Sequence, residues 1–258
     1  MVLFKKLALA ASALVVAISV AEAKDWKKIR IGTEGAYPPF NNLTSDGKLE
    51  GFDIDIARAL CEKMGAECEF VTQDWDGIIP ALVANKYDAI IASMSITDER
   101  KKQISFSEKY YNTPPALAVP KDSDLTAGTA DALKGRLVGA QSSTTHGNYA
   151  EQFFGEGSEV KLYPTADEYK LDLASGRIDV VVDDIVVLSE WLATEEGSCC
   201  KILTPLESVV AIHGEGAGIG VRKEDQDLAD AFSKAIKEIR EDGTYQKINA
   251  KYFAFDVY

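Results

Sequence analysis

The sequence predicts an α/β protein built from two units, each a parallel sheet covered by helices. Three observations predict it. Short β-like runs alternate with stretches of helical periodicity through most of the chain. The strand–helix–strand–helix–strand rhythm runs once up to residue 92 and starts again at residue 137. The ends of four of these strands carry compact polar sets, and strand ends are where open α/β sheets bind ligands.

The elements follow in order. Residues 29–32, IRIG, form the first strand. A helix is expected over 52–64, where Ala57, Leu60, Cys61 and Met64 recur at i, i+3, i+4 and i+7. Residues 69–71 are a strand. A helix follows over 75–84, with Asp74 or Asp76 as its cap and Pro80 near its first turn. Residues 89–92, AIIA, close the first unit. The second unit has strands at 137–140, 160–163 and 178–182 and helices over 145–154, 165–174 and from about 184 to 193. Thr165-x-x-Glu168 reads as a capping box. A glycine-rich strand over 216–221 and helices over 225–241 and 244–252 complete the chain. No low-complexity linker separates the units, so two lobes joined by short crossings fit better than independent beads. The stretch HGEGAGIGVRK is not followed directly by a helix. It reads as backbone crowding where the chain returns to the first lobe, not as a phosphate loop.

The first 23 residues read as a cleaved signal peptide. Lys5 and Lys6 precede an apolar run over 7–20, and Ala21-Glu22-Ala23 has the form of a cleavage site. No Cys stands at that site, which argues against a lipoprotein. The run is short for a membrane span. Export to the periplasm is expected. Loss of two lysines and one glutamate takes the formal charge from −13 to −14, so phosphate repels the chain and nucleic acid is not an expected partner. Cys61 and Cys68 flank six residues at a helix exit, and in an oxidising compartment they read as a local disulfide closing a short loop. Cys199 and Cys200 are adjacent. A vicinal disulfide, two free thiols and a bridge elsewhere all stay open. Zinc is not expected, because the two histidines, His146 and His213, have no Cys or His at ligand spacing. No cofactor is implied.

The polar sets are Thr33 to Tyr37 after Ile31, Ser93 to Thr97 after Ile91, Gln141 to Thr145 after Ala140, and Asp183-Asp184 after Val182. Four such strand ends argue for a shared cleft. In the second set Arg100 follows at once. That stretch reads either as a strand end with a helix cap or as a small anion site.

Taken together, GTEGAYPPF, GFDIDIARALCEKM, DWDGIIPAL, AIIASMSITDERKKQISFS, GAQSSTTHGNYAEQF, LASGRIDVVVDD and EDGTYQKINAKYFAFDVY resemble the periplasmic solute-binding proteins for polar amino acids. Within them the lysine/arginine/ornithine- and histidine-binding proteins of ABC importers are the most similar. The resemblance spans essentially the whole mature chain. It implies a type II periplasmic binding protein fold with a discontinuous first lobe (24–112 and 209–258), an inserted second lobe (113–208) and a hinge of two crossing segments near 112–115 and 207–213. It implies a monomer that captures a cationic amino acid and delivers it to a permease in the inner membrane.

The resemblance also implies roles for residues. Arg100 binds the ligand α-carboxylate, and a planar fork suits that group. Ser95 and Thr97 stand at one helix start, with Thr144 and Thr145 facing them from another. The competing reading of Arg100 is local pairing with Asp98 or Glu108. Asp184 takes the α-ammonium, and it also reads as a helix N-cap. Asp183 reads as pointing the other way, into solvent. Tyr37 and Trp75 sandwich the ligand side chain, and Glu34 meets the distal cation. Four positions depart from the pattern. Glu34 stands where basic-amino-acid binders commonly carry Asp, Ala92 replaces a commonly found Ser beside that position, His146 stands where relatives often carry Gln, and Gln141 where they carry an apolar residue. A cationic ligand survives these changes. Arginine, ornithine, lysine, histidine and an arginine-derived opine all stay open.

An exported enzyme on the same fold is the competing class. No G-x-S-x-G or Ser/His/Asp set is present beyond chance, and the carboxylate pair Glu34 and Asp184 is the one glycosidase-like feature. No catalysis is expected. A sensory module acting through a receptor partner is the third class.

Overall fold

A computed structural model describes Lys24 and residues 26–258. The expected signal peptide lies outside the described residues. Two five-stranded sheets organise the rest. In the first, strand Lys28–Thr33 lies between Glu67–Thr72 and Ala89–Ile90, all parallel. Ala217–Arg222 then pairs antiparallel with Ala89–Ile90, and Ile104–Tyr111 forms the far edge. The second sheet repeats the plan. Strand Leu137–Gln141 lies parallel between Glu159–Tyr163 and Val180–Asp184. Pro115–Pro120 runs antiparallel beside Val180–Asp184, with Cys200–Pro205 outermost. The first sheet therefore takes one strand, Ala217–Arg222, from beyond the stretch that forms the second sheet, whereas all five strands of the second sheet lie within residues 115–205. The first lobe is built from both ends of the chain.

The sequence explains these elements locally. Strand Val180–Asp184 is buried along its whole length, as expected for a strand covered on both faces. Helix Gln226–Glu241 packs on helix Phe52–Met64 and on the edge strand. It buries Leu228, Phe232, Ile236 and Ile239 on one stripe, each contributing roughly 1.5–3 kcal/mol. Helix Phe52–Met64 starts at Gly51, whose φ of 122° and approach to the Phe40 carbonyl leave no room for a Cβ. The same argument explains the HGEG stretch. Gly214, at φ 74°, lies against the Ile96 backbone, where an added Cβ would come within 2.2 Å of the carbonyl oxygen.

Several elements differ from expectation. Residues 75–84 are a 3₁₀ turn, Trp75–Gly77, followed by helix Ile78–Val83. Pro80 has no N–H to donate, so it stays within the first turn only if the α-helix begins at Ile78. Thr165 makes no side-chain capping bond, so the capping box is not formed. A small sheet of Ala36–Tyr37, Asn41–Leu43 and Leu49–Glu50 and the strands Ile104–Tyr111, Pro115–Pro120 and Cys200–Pro205 were not foreseen.

Cys61 and Cys68 are bonded, joining the end of helix Phe52–Met64 to strand Glu67–Thr72. Cys199 and Cys200 are free thiols with their sulfurs 2.6 Å apart. Replacing both Cys61 and Cys68 by serine is expected to destabilise the protein by about 2 kcal/mol, the loop-closure contribution of so short a loop. Calorimetry should show the melting temperature falling by roughly 4–8 °C, the shift expected for that loss in a chain of this size. Ligand affinity should be unchanged, because the bridge sits at the opposite end of the sheet from the strand carboxyl ends.

Candidate binding cleft

The carboxyl ends of both sheets meet across one cleft. Arg100 enters it from the first lobe. It sits on the short helix Asp98–Lys101, capped by Thr97, whose hydroxyl accepts the Arg100 N–H. Arg100 as a whole is only 8% exposed. Its Nη1 donates to the Ser95 carbonyl at 3.0 Å and its Nη2 to the Ser143 carbonyl of the second lobe at 3.1 Å. Its Cζ lies 5.3 Å from the Trp75 ring centroid. Neither Asp98 nor Glu108 pairs with it, so the local ion-pair reading fails. Burial lowers its pKa to about 10, which leaves it cationic at neutral pH.

Further hydrogen bonds hold the lobes together. Trp75 Nε1 also donates to the Ser143 carbonyl, at 3.1 Å. Ser142 donates to the Asp76 carboxylate at 3.0 Å. Gln141 Nε2 donates to Glu34 Oε1 at 2.7 Å and to the Pro164 carbonyl at 3.0 Å. Tyr37 OH donates to Asp183 Oδ1 at 2.6 Å. Ser143 adopts a left-handed backbone, φ 57°, at a cost of roughly 1–2 kcal/mol. In that conformation its carbonyl serves both Trp75 and Arg100.

The acidic side of the cleft is layered. Glu34 follows strand Lys28–Thr33, and burial raises its pKa to about 7. The Gln141 hydrogen bond opposes that rise, while the charges of Asp183, Asp167 and Asp74 add to it. Asp184 ends strand Val180–Asp184 and caps the next helix, accepting from the N–H groups of Val186 and Val187. It also accepts from the Thr113 hydroxyl. Burial raises its pKa to about 6, against the Thr113 bond and the nearby His146. Asp183 corrects the sequence reading. It is 3% exposed and faces the cleft floor, accepting from Tyr37, Tyr169, His146 Nδ1 at 3.0 Å and the Asp184 N–H. Burial alone would raise its pKa, but the His146 bond and charge with the two phenols hold it below the usual carboxylate range.

Beneath Ser93 lies a carboxylate that the sequence reading missed. Asp53 is fully buried and accepts from Asn41 at 2.9 Å, Ser93 Oγ at 2.9 Å and Tyr110 OH at 2.8 Å. Asn41 in turn accepts the Gly35 N–H, next to Glu34. Asp53 thus fixes two of the strand ends. A signal was present: Asp53 shares the apolar stripe of its helix with Ile56, Ala57 and Leu60, where a carboxylate needs a partner.

Two adjoining chambers open in the cleft. The first encloses about 330 Å³ of space, part of it open to solvent. From the first lobe it is lined by Glu34, Tyr37, Trp75, Ala92, Ser93, Ser95 and Arg100. From the second lobe Gln141, Thr144, Thr145 and His146 line it. Thr144 caps helix Thr145–Phe154, so that helix presents its positive end here. Asp184 lines the second chamber, about 400 Å³ with part of it open to solvent, which shares Tyr37, Ser93, Ser95, Thr145 and His146 with the first. Among the described residues no group of three or more His, Cys, Asp or Glu side chains is placed to hold a metal ion. No helix there is long and apolar enough to cross a membrane.

Comparison with known proteins decides the family. The model for bacterial extracellular solute-binding proteins, family 3, matches residues 29–255. The chain belongs to that family. The L-arginine-binding protein of Pseudomonas aeruginosa is 44% identical over 98% of both chains. The histidine-binding periplasmic protein of Salmonella typhimurium is 42% identical over 98% of this chain and 99% of its own. An ancestral arginine-binding protein solved with arginine superposes with a TM-score of 0.81 at 39% identity, covering 88% of this chain and 99% of that one. This family-3 protein therefore has the two-lobe type II fold, and its curated relatives are binding proteins.

Proposed function

We propose that this protein is the periplasmic substrate-binding component of an ABC importer. It captures a basic amino acid, one of arginine, ornithine, lysine or histidine, between two closing lobes. One observation carries the reading. A buried guanidinium, Arg100, and a carboxylate among further acids, Glu34, line the same chamber together with Tyr37 and Trp75, which supports opposite ends for the two charges of the ligand. An amino acid with a cationic side chain is complementary to that charge order. Arg100 holds the α-carboxylate with help from Ser95, Thr144 and Thr145. Asp184 holds the α-ammonium, the two rings flank the side chain, and Glu34 meets the distal cation. Ser93 and Ala92 form the floor, and Gln141 and His146 shape the second-lobe wall.

The lobes, 24–112 with 209–258 and 113–208, move about the two crossings. Ligand contacts both and favours the closed form by its differential affinity. The protein binds without chemistry, works as a monomer in the periplasm after signal-peptide cleavage, and presents the closed form to its permease. A strain lacking the gene should lose high-affinity uptake of labelled arginine, restored by the intact gene and not by Arg100→Ala. Uptake of every basic amino acid at the parental rate would contradict the importer role.

Binding should depend on pH. Glu34 and Asp184 titrate near 7 and 6 in the protein alone. A bound cation favours their ionised forms and lowers both values, so binding releases protons in this window. Arginine affinity should therefore rise by up to about tenfold per pH unit between pH 5 and 7 for each proton released and level off above it. Calorimetry in buffers of different ionisation heat checks both the slope and the proton count.

A further inference from the structure

We propose that Asp183 is a positioning residue of the cleft: without touching the ligand, its carboxylate fixes Tyr37 across the two lobes and holds the closed form. The inference rests on the amino-acid reading of the cleft and adds to it a residue that sets how long the ligand stays. Asp183 lines neither chamber, but its partners do. Its Oδ1 accepts from Tyr37 OH at 2.6 Å, from His146 Nδ1 at 3.0 Å and from the Asp184 N–H at 2.7 Å, while Oδ2 accepts from Tyr169 OH. Tyr37 and His146 line both chambers, and Asp184 lines the second. One carboxylate, a layer behind the cleft surface, therefore orients three of the lining residues.

The chemistry of the cluster suits that role. A buried carboxylate needs donors on its oxygens, and four supply them here. Among the described residues no Lys or Arg pairs with Asp183, so hydrogen bonds and His146 carry its charge. Burial pushes the Tyr37 phenol well above its usual value, and the charges of Asp183 and Asp184 add to the rise. The hydroxyl therefore keeps its proton and donates. Of the four donors Tyr37 alone belongs to the first lobe, so its bond forms only when the lobes meet. A bond made only in the closed form favours that form. It forms after ligand and protein have met, so its loss shows in dissociation and not in association.

The test is stopped-flow binding to the full mature protein, unfolded and refolded to remove carried-over ligand. The probe is whichever of arginine, ornithine, lysine and histidine binds the native chain most tightly. Tyr37→Phe keeps the ring and loses the bond. It should dissociate roughly ten- to a hundredfold faster, the range for a charged hydrogen bond, and associate within about threefold of the native rate. Asp183→Ala should show the same split. Asp183→Asn, which keeps an oxygen for Tyr37, should fall between Asp183→Ala and the native chain. The double variant of Tyr37→Phe and Asp183→Ala should dissociate within about twofold of Asp183→Ala alone, because both changes remove one bond. Should Asp183→Ala fail to fold, Asp183→Asn takes its place, and the double variant should again fall well short of the product of the single effects. A native dissociation rate in Tyr37→Phe, a loss confined to association, or single effects that multiply would overturn the role of Asp183 and leave the amino-acid reading intact. Absence of binding of all four basic amino acids by the native chain would overturn that reading, and the role of Asp183 with it.

Discussion

Arg100→Ala is expected to weaken every α-amino acid ligand by more than a hundredfold, whatever its side chain. The guanidinium is buried and its fork is aimed between the lobes. Removing one partner of a desolvated charge pair costs on the order of 3 kcal/mol, and the α-carboxylate is common to all candidates. Part of the loss reflects closure, because Arg100 also binds the Ser143 carbonyl across the cleft. Arg100→Lys separates the two contributions. It keeps the charge and loses the fork, so it should bind with intermediate affinity. Titrations of arginine, lysine and glutamine against both variants check this, and a loss confined to basic ligands would count against the role.

Glu34→Gln should act selectively. The substitution keeps the shape and an acceptor for Gln141 and removes the charge at the distal end. Arginine and lysine should lose roughly ten- to a hundredfold, the usual range for a charged hydrogen bond of about 1.5–3 kcal/mol. Glutamine should be unaffected or gain. The pH dependence of arginine binding should flatten near 7, because Glu34 no longer titrates there. Equal losses for arginine and glutamine would refute the division of labour between Glu34 and Arg100.

Much of this was legible because strand ends concentrate polar residues. Glu34, Ser95, Arg100, Gln141 and Thr144 each follow an apolar run, and the fold brings all five to one chamber. Other features depend on contacts that a local pattern does not encode. Asp183 and Asp184 are neighbours in a strand, where alternation sends one side chain away from the other's face. The sequence therefore suggested solvent for Asp183, but Tyr37 from the first lobe and Tyr169 enclose it. Strand Ile104–Tyr111 pairs with residues 217–222, more than a hundred positions downstream, and so carries no short-range signal of its register. The strands at 36–37 and 49–50 are two residues each, too short for any periodicity.

The central claim is that the cleft selects a cationic α-amino acid. Its most direct test is calorimetric titration of refolded protein with arginine, ornithine, lysine, histidine, glutamine and glutamate at pH 7.5. The account predicts one site per chain, tight binding confined to the four basic amino acids, and much weaker or no binding of the other two. Binding of glutamine or glutamate as tight as that of any basic amino acid would contradict it.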